Sequence, residues 1–232
     1  MQTITNTWPP VAPTTPLAVL VSGGLDSAVL LAEAVRQYPA VYPLYIRTGL
    51  YWETAEQRHL ERFLAVIQTP VLHPLSILEQ PVRDLYGNHW SLTGVGVPAA
   101  GTPDEDVFLP GRNVLLLAKS LLWCHLNGVP EVAMAPLAVN PFPDATPEFF
   151  HEYTGAVNRA VNGVVQVLRP YAHLHKSDLL HLAAGMPLEK TFSCIRPVSG
   201  LHCGRCSKCF ERQQGFRDAA LPDPTRYVDR ES

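Results

Sequence analysis

Short apolar runs alternate with longer amphipathic stretches along most of this chain, and that alternation predicts its fold. Leu17–Ser22 is an apolar, β-branched run ending in two glycines, the profile of a strand buried on both faces. From Asp26 to Gln37, Ala28, Leu31, Ala32 and Val35 recur at helical spacing. Val41–Arg47 predicts a second strand, and Glu53–Ile67 a helix with Ala55, Leu60, Phe63, Leu64 and Ile67 as its buried stripe. Thr69–Leu75 predicts a third strand, short or at an edge because Pro70 and Pro74 bound it. Residues 86–111 read as a long loop rich in glycine and proline, which inside an α/β domain usually carries function. Asn113–Leu126, Thr146–Val161 and Ser177–Ala184 predict helices, and Glu131–Ala135 and Val164–Leu168 strands. Strands separated by helices imply an α/β fold with a doubly wound parallel sheet. From residue 189 the rhythm is lost. The expected division is therefore a flexible Pro/Thr lead-in over 1–16, an α/β domain over 17–188 and a small cysteine-bearing subdomain over 189–232.

The first strand runs straight into Ser22-Gly23-Gly24-Leu25-Asp26-Ser27 and then into a helix. Adjacent glycines let the backbone turn sharply and approach a ligand, and a helix N-terminus offers unpaired N–H groups and the positive end of its dipole. The hydroxyls of Ser22 and Ser27 add donors, so the loop suits a phosphate. It is neither a Walker A loop nor G-x-G-x-x-G. Asp26 would repel phosphate unless a Mg²⁺ ion stood between them. The plain alternative is an ordinary helix cap.

Four of the five cysteines lie between Cys194 and Cys209, spaced C-x₈-C-x₂-C-x₂-C as Cys194, Cys203, Cys206 and Cys209. Four soft thiolates at such steps suit a tetrahedral Zn²⁺ with a closed, structural coordination sphere. An iron–sulfur cluster and a redox pair are the alternatives. Arg205, Lys208 and Arg212 would offset the thiolate charge, and His202 could compete as a ligand. Cys124, alone on its helix, reads as a small buried apolar residue. No two of the nine histidines have the spacing of a zincin motif.

Composition narrows the class further. With 47% hydrophobic and 17% charged residues the chain can build a sizeable core and is not a disordered, coiled-coil or collagenous sequence. No apolar run approaches the roughly 20 residues of a membrane span. The opening MQTITNTWPPVAPTTP has neither the basic nor the apolar region of a secretory signal, which predicts a cytoplasmic protein. A net charge of −3 shows no basic excess of the kind nucleic-acid binding exploits, so no direct nucleic-acid partner is expected.

S-G-G-x-D-S between a strand and a helix resembles the PP-loop of the ATP pyrophosphatases (adenine nucleotide alpha hydrolase-like fold). Combined with the C-terminal cysteine spacing, it resembles the family of 7-cyano-7-deazaguanine (preQ0) synthases, the QueC-like enzymes. Further matches are Leu109-Pro110-Gly111-Arg112-Asn113, Pro143-Asp144, Pro147-Glu148-Phe149, Lys176, Thr191-Phe192-Ser193-Cys194, Cys203-Gly204 and Asp223-Pro224-Thr225-Arg226-Tyr227. The resemblance implies a carbon–nitrogen ligase of queuosine biosynthesis. It would adenylate 7-carboxy-7-deazaguanine with ATP and Mg²⁺, form the amide with ammonia, and use a second ATP to reach the nitrile.

On that resemblance, Ser22, Gly23, Gly24, Leu25, Asp26 and Ser27 bind ATP, and Asp26, Ser27 and Lys176 act in catalysis. Arg112, Asn113, Asp144 and Glu148 are expected at the substrate, and the four cysteines hold structural Zn²⁺. A homodimer is also implied. Asn113 and Thr146 could equally be helix caps, and Glu148 could merely favour a helix dipole. Two segments depart from the family pattern: 46–53, where D-Y-G-Q-R-H is expected, and 135–146, which lacks Tyr-Ser-Gly. They leave open a diverged relative that adenylates another acceptor, or that attaches a deazapurine to a protein or nucleic acid. A tRNA thiolase or lysidine synthase would carry an RNA-binding extension or a basic surface, and neither is present. No N-terminal cysteine suggests a built-in glutaminase, so ammonia must arrive free or from a partner.

Overall fold

The most apolar run of the chain becomes the middle of a sheet. In the computed structural model, which describes residues 8–229 apart from 11, 13 and 139, β1 (Leu17–Leu20) is fully enclosed. It pairs in parallel with β2 (Val41–Arg47) on one side and β4 (Glu131–Ala133) on the other. β3 (Ser76–Glu79) and β5 (Gln166–Leu168) complete a five-stranded parallel sheet in the order β3-β2-β1-β4-β5. Alternation along β1 divides its side chains between two cores. Leu17, Val19 and Val21 face α1 (Leu25–Gln37), α7 (Lys176–Leu182) and α8 (Ser207–Asp218), while Ala18 and Leu20 face α5 (Arg112–Asn127) and α6 (Pro147–Val161). Helices on both faces of a parallel sheet are the expected doubly wound architecture. Cys124 sits in the second core with no exposure. Among the described residues no helix is long and apolar enough to cross a membrane.

The third strand lies further along the chain than Thr69–Leu75. That segment reaches β2 and exchanges bonds with Val41, whose N–H donates to Val71 O at 2.8 Å and whose carbonyl accepts from His73 N–H at 2.9 Å. The ladder then lapses and resumes only at Leu44↔Ser76. Pro43 explains the gap: it lies on β2 two residues from Val41, is turned toward the same edge, and has no N–H to offer the incoming segment.

The 86–111 stretch is not wholly irregular. The one-turn helix α4 (Trp90–Thr93) and a 3₁₀ turn at Asp104–Val107 punctuate it, following α2 (Glu53–Val66) and the one-turn α3 (Arg83–Tyr86). Thr146 caps α6, its hydroxyl accepting from Phe149 N–H at 3.1 Å. Of the lead-in, residues 1–7, 11 and 13 lie outside the described residues. Trp8 is buried, edge-on to Tyr38 at 5.5 Å, and donates to Glu33. At the other end of the chain, Phe216 and Ala219 of α8 join the main core beside α1 and α7.

The order of the strands determines where a ligand can lie. The chain winds outward from β1 through β2 to β3, then returns to β4 on β1's other side. Connections therefore diverge at the carboxyl ends of β1 and β4, and a crevice opens at that switch point.

Candidate active site

The loop after β1 lines this crevice. Gly23 has φ +76°, and Gly24 is the extended N-cap of α1. Ser22 and Ser27 close the turn on itself. Ser22 N–H donates to Ser27 Oγ at 3.2 Å, Gly24 N–H donates to Ser22 Oγ at 3.2 Å, and Ser27 Oγ donates back to Gly24 O at 3.2 Å. The first-turn N–H groups of Leu25, Asp26 and Ser27 lie beyond reach of any carbonyl of their own helix and point where an anion would sit. A Cβ on Gly23 would stand 2.9 Å from the Glu56 carbonyl and 3.2 Å from Leu60 Cβ, in a left-handed conformation that side chains avoid. Gly23→Ala is therefore expected to cost about 1–3 kcal/mol and to weaken ATP binding, measured by thermal unfolding and by nucleotide titration.

Two cavities meet at this loop. One, of about 220 Å³, is bounded by the loop, Trp52, Lys176, Lys208, Arg212 and Arg112. The other, of about 230 Å³, lies against Tyr45, Glu53, Asn113, Met134 and Asn140 at the ends of β1, β2 and β4. Ser22, Asp26, Ser27, Glu56 and Arg112 border both. A larger groove of about 690 Å³ continues past Asp26 along Ala135–Leu137, Phe142 and Phe210.

Lys176 Nζ donates to both carboxylate oxygens of Asp26, at 2.7 and 2.8 Å, and lies 3.3 Å from Glu211. Burial alone would lower the lysine's pKa, but the two carboxylates more than offset it and hold the ammonium above its usual value. Glu211 is held down to about 2 against its own burial by Lys176 and Lys208. Arg212, buried, reaches in from α8. It donates to Thr225 Oγ1, Thr191 Oγ1, Ser193 Oγ and the Leu188 carbonyl, which sets its guanidinium in the wall of the first cavity. Four cations thus face the N-terminus of α1.

Glu56 and Glu53, both buried, behave differently. Glu53 accepts from Thr48 N–H, Thr48 Oγ1 and Gly49 N–H, which fastens the loop after β2. Glu56 takes the Tyr45 hydroxyl on Oε2 at 2.7 Å. Burial pushes its carboxyl up to about 7, against the opposing pull of Arg112 and the Tyr45 bond. A carboxyl whose pKa folding raises costs the native state nothing below its ordinary value of 4.5, and costs stability progressively as pH rises from there through its native value. Glu56→Gln is therefore expected to gain stability relative to the unchanged protein between about pH 5 and 8, by on the order of 3 kcal/mol at the upper end. Denaturant melts at the two pH values check this.

The expected site residues divide among these features. Ser22, Gly24, Leu25, Asp26, Ser27, Arg112 and Lys176 come together around the first cavity, and Asn113 borders the second. Gly23 sits behind the loop, its carbonyl accepting from Phe192 N–H at 2.7 Å. Asp144 Oδ2 accepts from Asn113 N–H at 2.9 Å and its carbonyl accepts from Asn113 Nδ2, so it caps α5 across a gap in sequence. Glu148 is exposed in the first turn of α6 and lines none of these cavities. Sequence reasoning missed Glu56 and took Lys208 and Arg212 only as charge partners for the thiolates. Helical spacing from Cys209 was the one available signal for Lys208 and Arg212, and Glu56 had none.

The four cysteine sulfurs are buried and all lie within 4.8 Å of one another, a set that can hold a metal ion. Backbone N–H groups of Arg196 and Cys203 donate to Cys194 Sγ, and those of Arg205 and Cys206 to Cys203 Sγ, which favours thiolates. His202 stays outside this set. Its Nε2 accepts from Ser193 N–H at 3.1 Å, and burial, then Arg212, lower its pKa to about 3. Arg205 pairs with Asp229 and Lys208 with Glu211.

A family profile described as "Queuosine biosynthesis protein QueC" matches residues 17–220. The chain belongs to the QueC family. It is 34% identical over 227 residues to a 7-cyano-7-deazaguanine synthase of Xanthomonas euvesicatoria, covering 90% of this chain and 96% of that one. A 7-cyano-7-deazaguanine synthase of Xylella fastidiosa is 31% identical, over 91% of this chain and 94% of its own. Among solved structures, a 4-thiouridine synthetase–RNA complex with bound ATP superposes with a TM-score of 0.50 at 15% identity, over 92% of this chain and 47% of that one, a likeness of fold alone. Within this QueC-family chain, the two departing segments lie on cavity walls. Trp52, stacked on Trp90 at 5.9 Å, lines the first cavity, Leu50 the second, and Ala135–Leu137 with Asn140–Phe142 the groove.

Proposed function

We propose that this protein is an ATP-dependent carbon–nitrogen ligase that converts 7-carboxy-7-deazaguanine to 7-cyano-7-deazaguanine. The observation that carries the reading is the α1 N-terminus facing Lys176, Arg212, Lys208 and Arg112 across one cavity, in a chain that matches synthases of that name over nearly its whole length. A carboxylate cannot expel oxide. Transfer of AMP to its oxygen creates a leaving group, and the pyrophosphate released must be held while charge builds on it. The loop N–H groups and the Ser22 and Ser27 hydroxyls serve the phosphates. Lys176 and Arg212 neutralise them, and Asp26 would hold the Mg²⁺ that accompanies ATP, which would screen phosphate charge. Ammonia then displaces AMP to give the amide, and a second activation at the amide oxygen ends in the nitrile.

The four cysteines are read as a structural Zn²⁺ site. Two Sγ–Sγ separations, 3.8 Å for Cys194–Cys206 and 3.9 Å for Cys203–Cys209, support this. A tetrahedral ion with Zn–S bonds of about 2.3 Å has edges of about 3.8 Å, whereas a multi-iron cluster would hold its cysteines further apart. When bound, the ion supplies no chemistry at the ATP site and fixes the start of α8, from which Lys208 and Arg212 project.

The test is turnover of the purified protein with ATP, 7-carboxy-7-deazaguanine and ammonium, the products resolved by mass spectrometry. Nitrile with two AMP per turnover supports the synthase. The changed cavity walls at Leu50, Trp52, 135–137 and 140–142 favour a second reading, an adenylating enzyme with a different acceptor. AMP formation without nitrile would select it.

A further inference from the structure

The two small cavities share five residues, and those five surround the point where nucleotide and acceptor would meet. Ammonia exists in neutral solution almost wholly as the ammonium ion, whose lone pair is blocked by a proton. A base is needed within reach. Asp26 has both oxygens engaged by the Lys176 ammonium. Glu53 spends its oxygens on three donors of the loop after β2, and Glu211 is committed to Lys176 and Lys208. Glu56 borders both cavities from the α2 side. The Tyr45 hydroxyl at 2.7 Å and the Trp52 indole orient it, and a carboxylate with two donors keeps lone pairs to spare. Its backbone carbonyl packs against Gly23, so the side chain is held in register with the loop.

We propose that Glu56 is the base that takes the proton from the attacking nitrogen at the junction of the two cavities. Ammonium gives one proton to the Glu56 carboxylate, and the freed lone pair forms the C–N bond at the acyl carbon of the adenylate. The C–O bond to AMP breaks with its electron pair passing to the phosphate-bound oxygen, and the surplus proton on the new amide nitrogen leaves to solvent. Burial sets this carboxyl near neutrality, where one group can both accept a proton and release it between turnovers. The role rests on the acyl-adenylate reading above.

Hydroxylamine separates this role from a structural one, because it is already neutral at pH 7 and needs no base. Glu56→Gln is expected to lose about 100-fold or more of the ammonium-dependent rate, while hydroxamate formation with hydroxylamine falls far less. Glu56→Asp, which keeps a carboxylate, should hold an intermediate ammonium rate with normal hydroxamate formation, and it decides the matter if the glutamine variant does not fold. Unchanged ammonium-dependent turnover in Glu56→Gln would overturn the proposal, and so would equal loss with both nucleophiles. If the unsubstituted protein forms neither amide nor hydroxamate from 7-carboxy-7-deazaguanine, the synthase reading fails first and takes this base with it.

Discussion

Lys176→Met lowers substrate-dependent pyrophosphate release by about a thousandfold or more. Loss of one preorganised donor at developing charge costs about 100- to 1,000-fold, and here the loss is compounded. The ammonium lies against Asp26 and Glu211, so its removal leaves two carboxylates facing the incoming phosphates. Methionine keeps most of the stem, which matters because Lys176 Cγ packs where a side chain on Gly215 would come within 2.6 Å. Lys176→Arg should recover little, since the close approach of α7 to α8 leaves no room to re-aim a planar fork. Pyrophosphate release measured beside circular dichroism checks both variants. A folded Lys176→Met protein with near-normal release would remove Lys176 from the catalytic set.

Cys209→Ser acts on the fold as much as on the site. Under the zinc reading one of four thiolates is lost, and the metal's binding free energy is part of the folding free energy. A fall in thermal midpoint of about 10 °C or more is expected for a chain of this size, with loss of bound metal. Cys209 lies on α8 between Lys208 and Arg212, so nucleotide affinity should fall with it even in molecules that stay folded. Elemental analysis, a thermal scan and ATP titration on one preparation report all three. Full metal content at an unchanged midpoint would show that the four sulfurs are not acting as one ligand set.

Much of the fold was legible because its strongest signals are local. The β1 strand is enclosed on both faces and reads as a continuous apolar run, and Val41–Arg47 appears with the bounds its pattern predicts. The misplaced third strand shows where such reading fails. Apolar content at 69–75 suggests a paired strand, but Pro43 of β2 offers no N–H on the edge that faces it, and regular pairing begins only at Leu44↔Ser76. Asp144 was expected at the substrate because of the residues around it. Its Oδ2 accepts from Asn113 N–H in the first turn of α5, a contact that exists only after the chain returns across the sheet and that no local pattern announces.

The sequence alone determined the doubly wound class, the phosphate-suited loop and the four-cysteine set, because each is written in neighbouring residues and in spacing. Only the tertiary structure decided what those parts face. Asp26 and Lys176 are 150 positions apart, and their pairing depends on the sheet order that brings α7 beside α1. Arg212 enters the cavity because α8 is anchored at both the cysteines and the main core. Glu56 acquires its raised pKa from burial beside Tyr45, and burial is a property of the assembled molecule rather than of any stretch of its sequence.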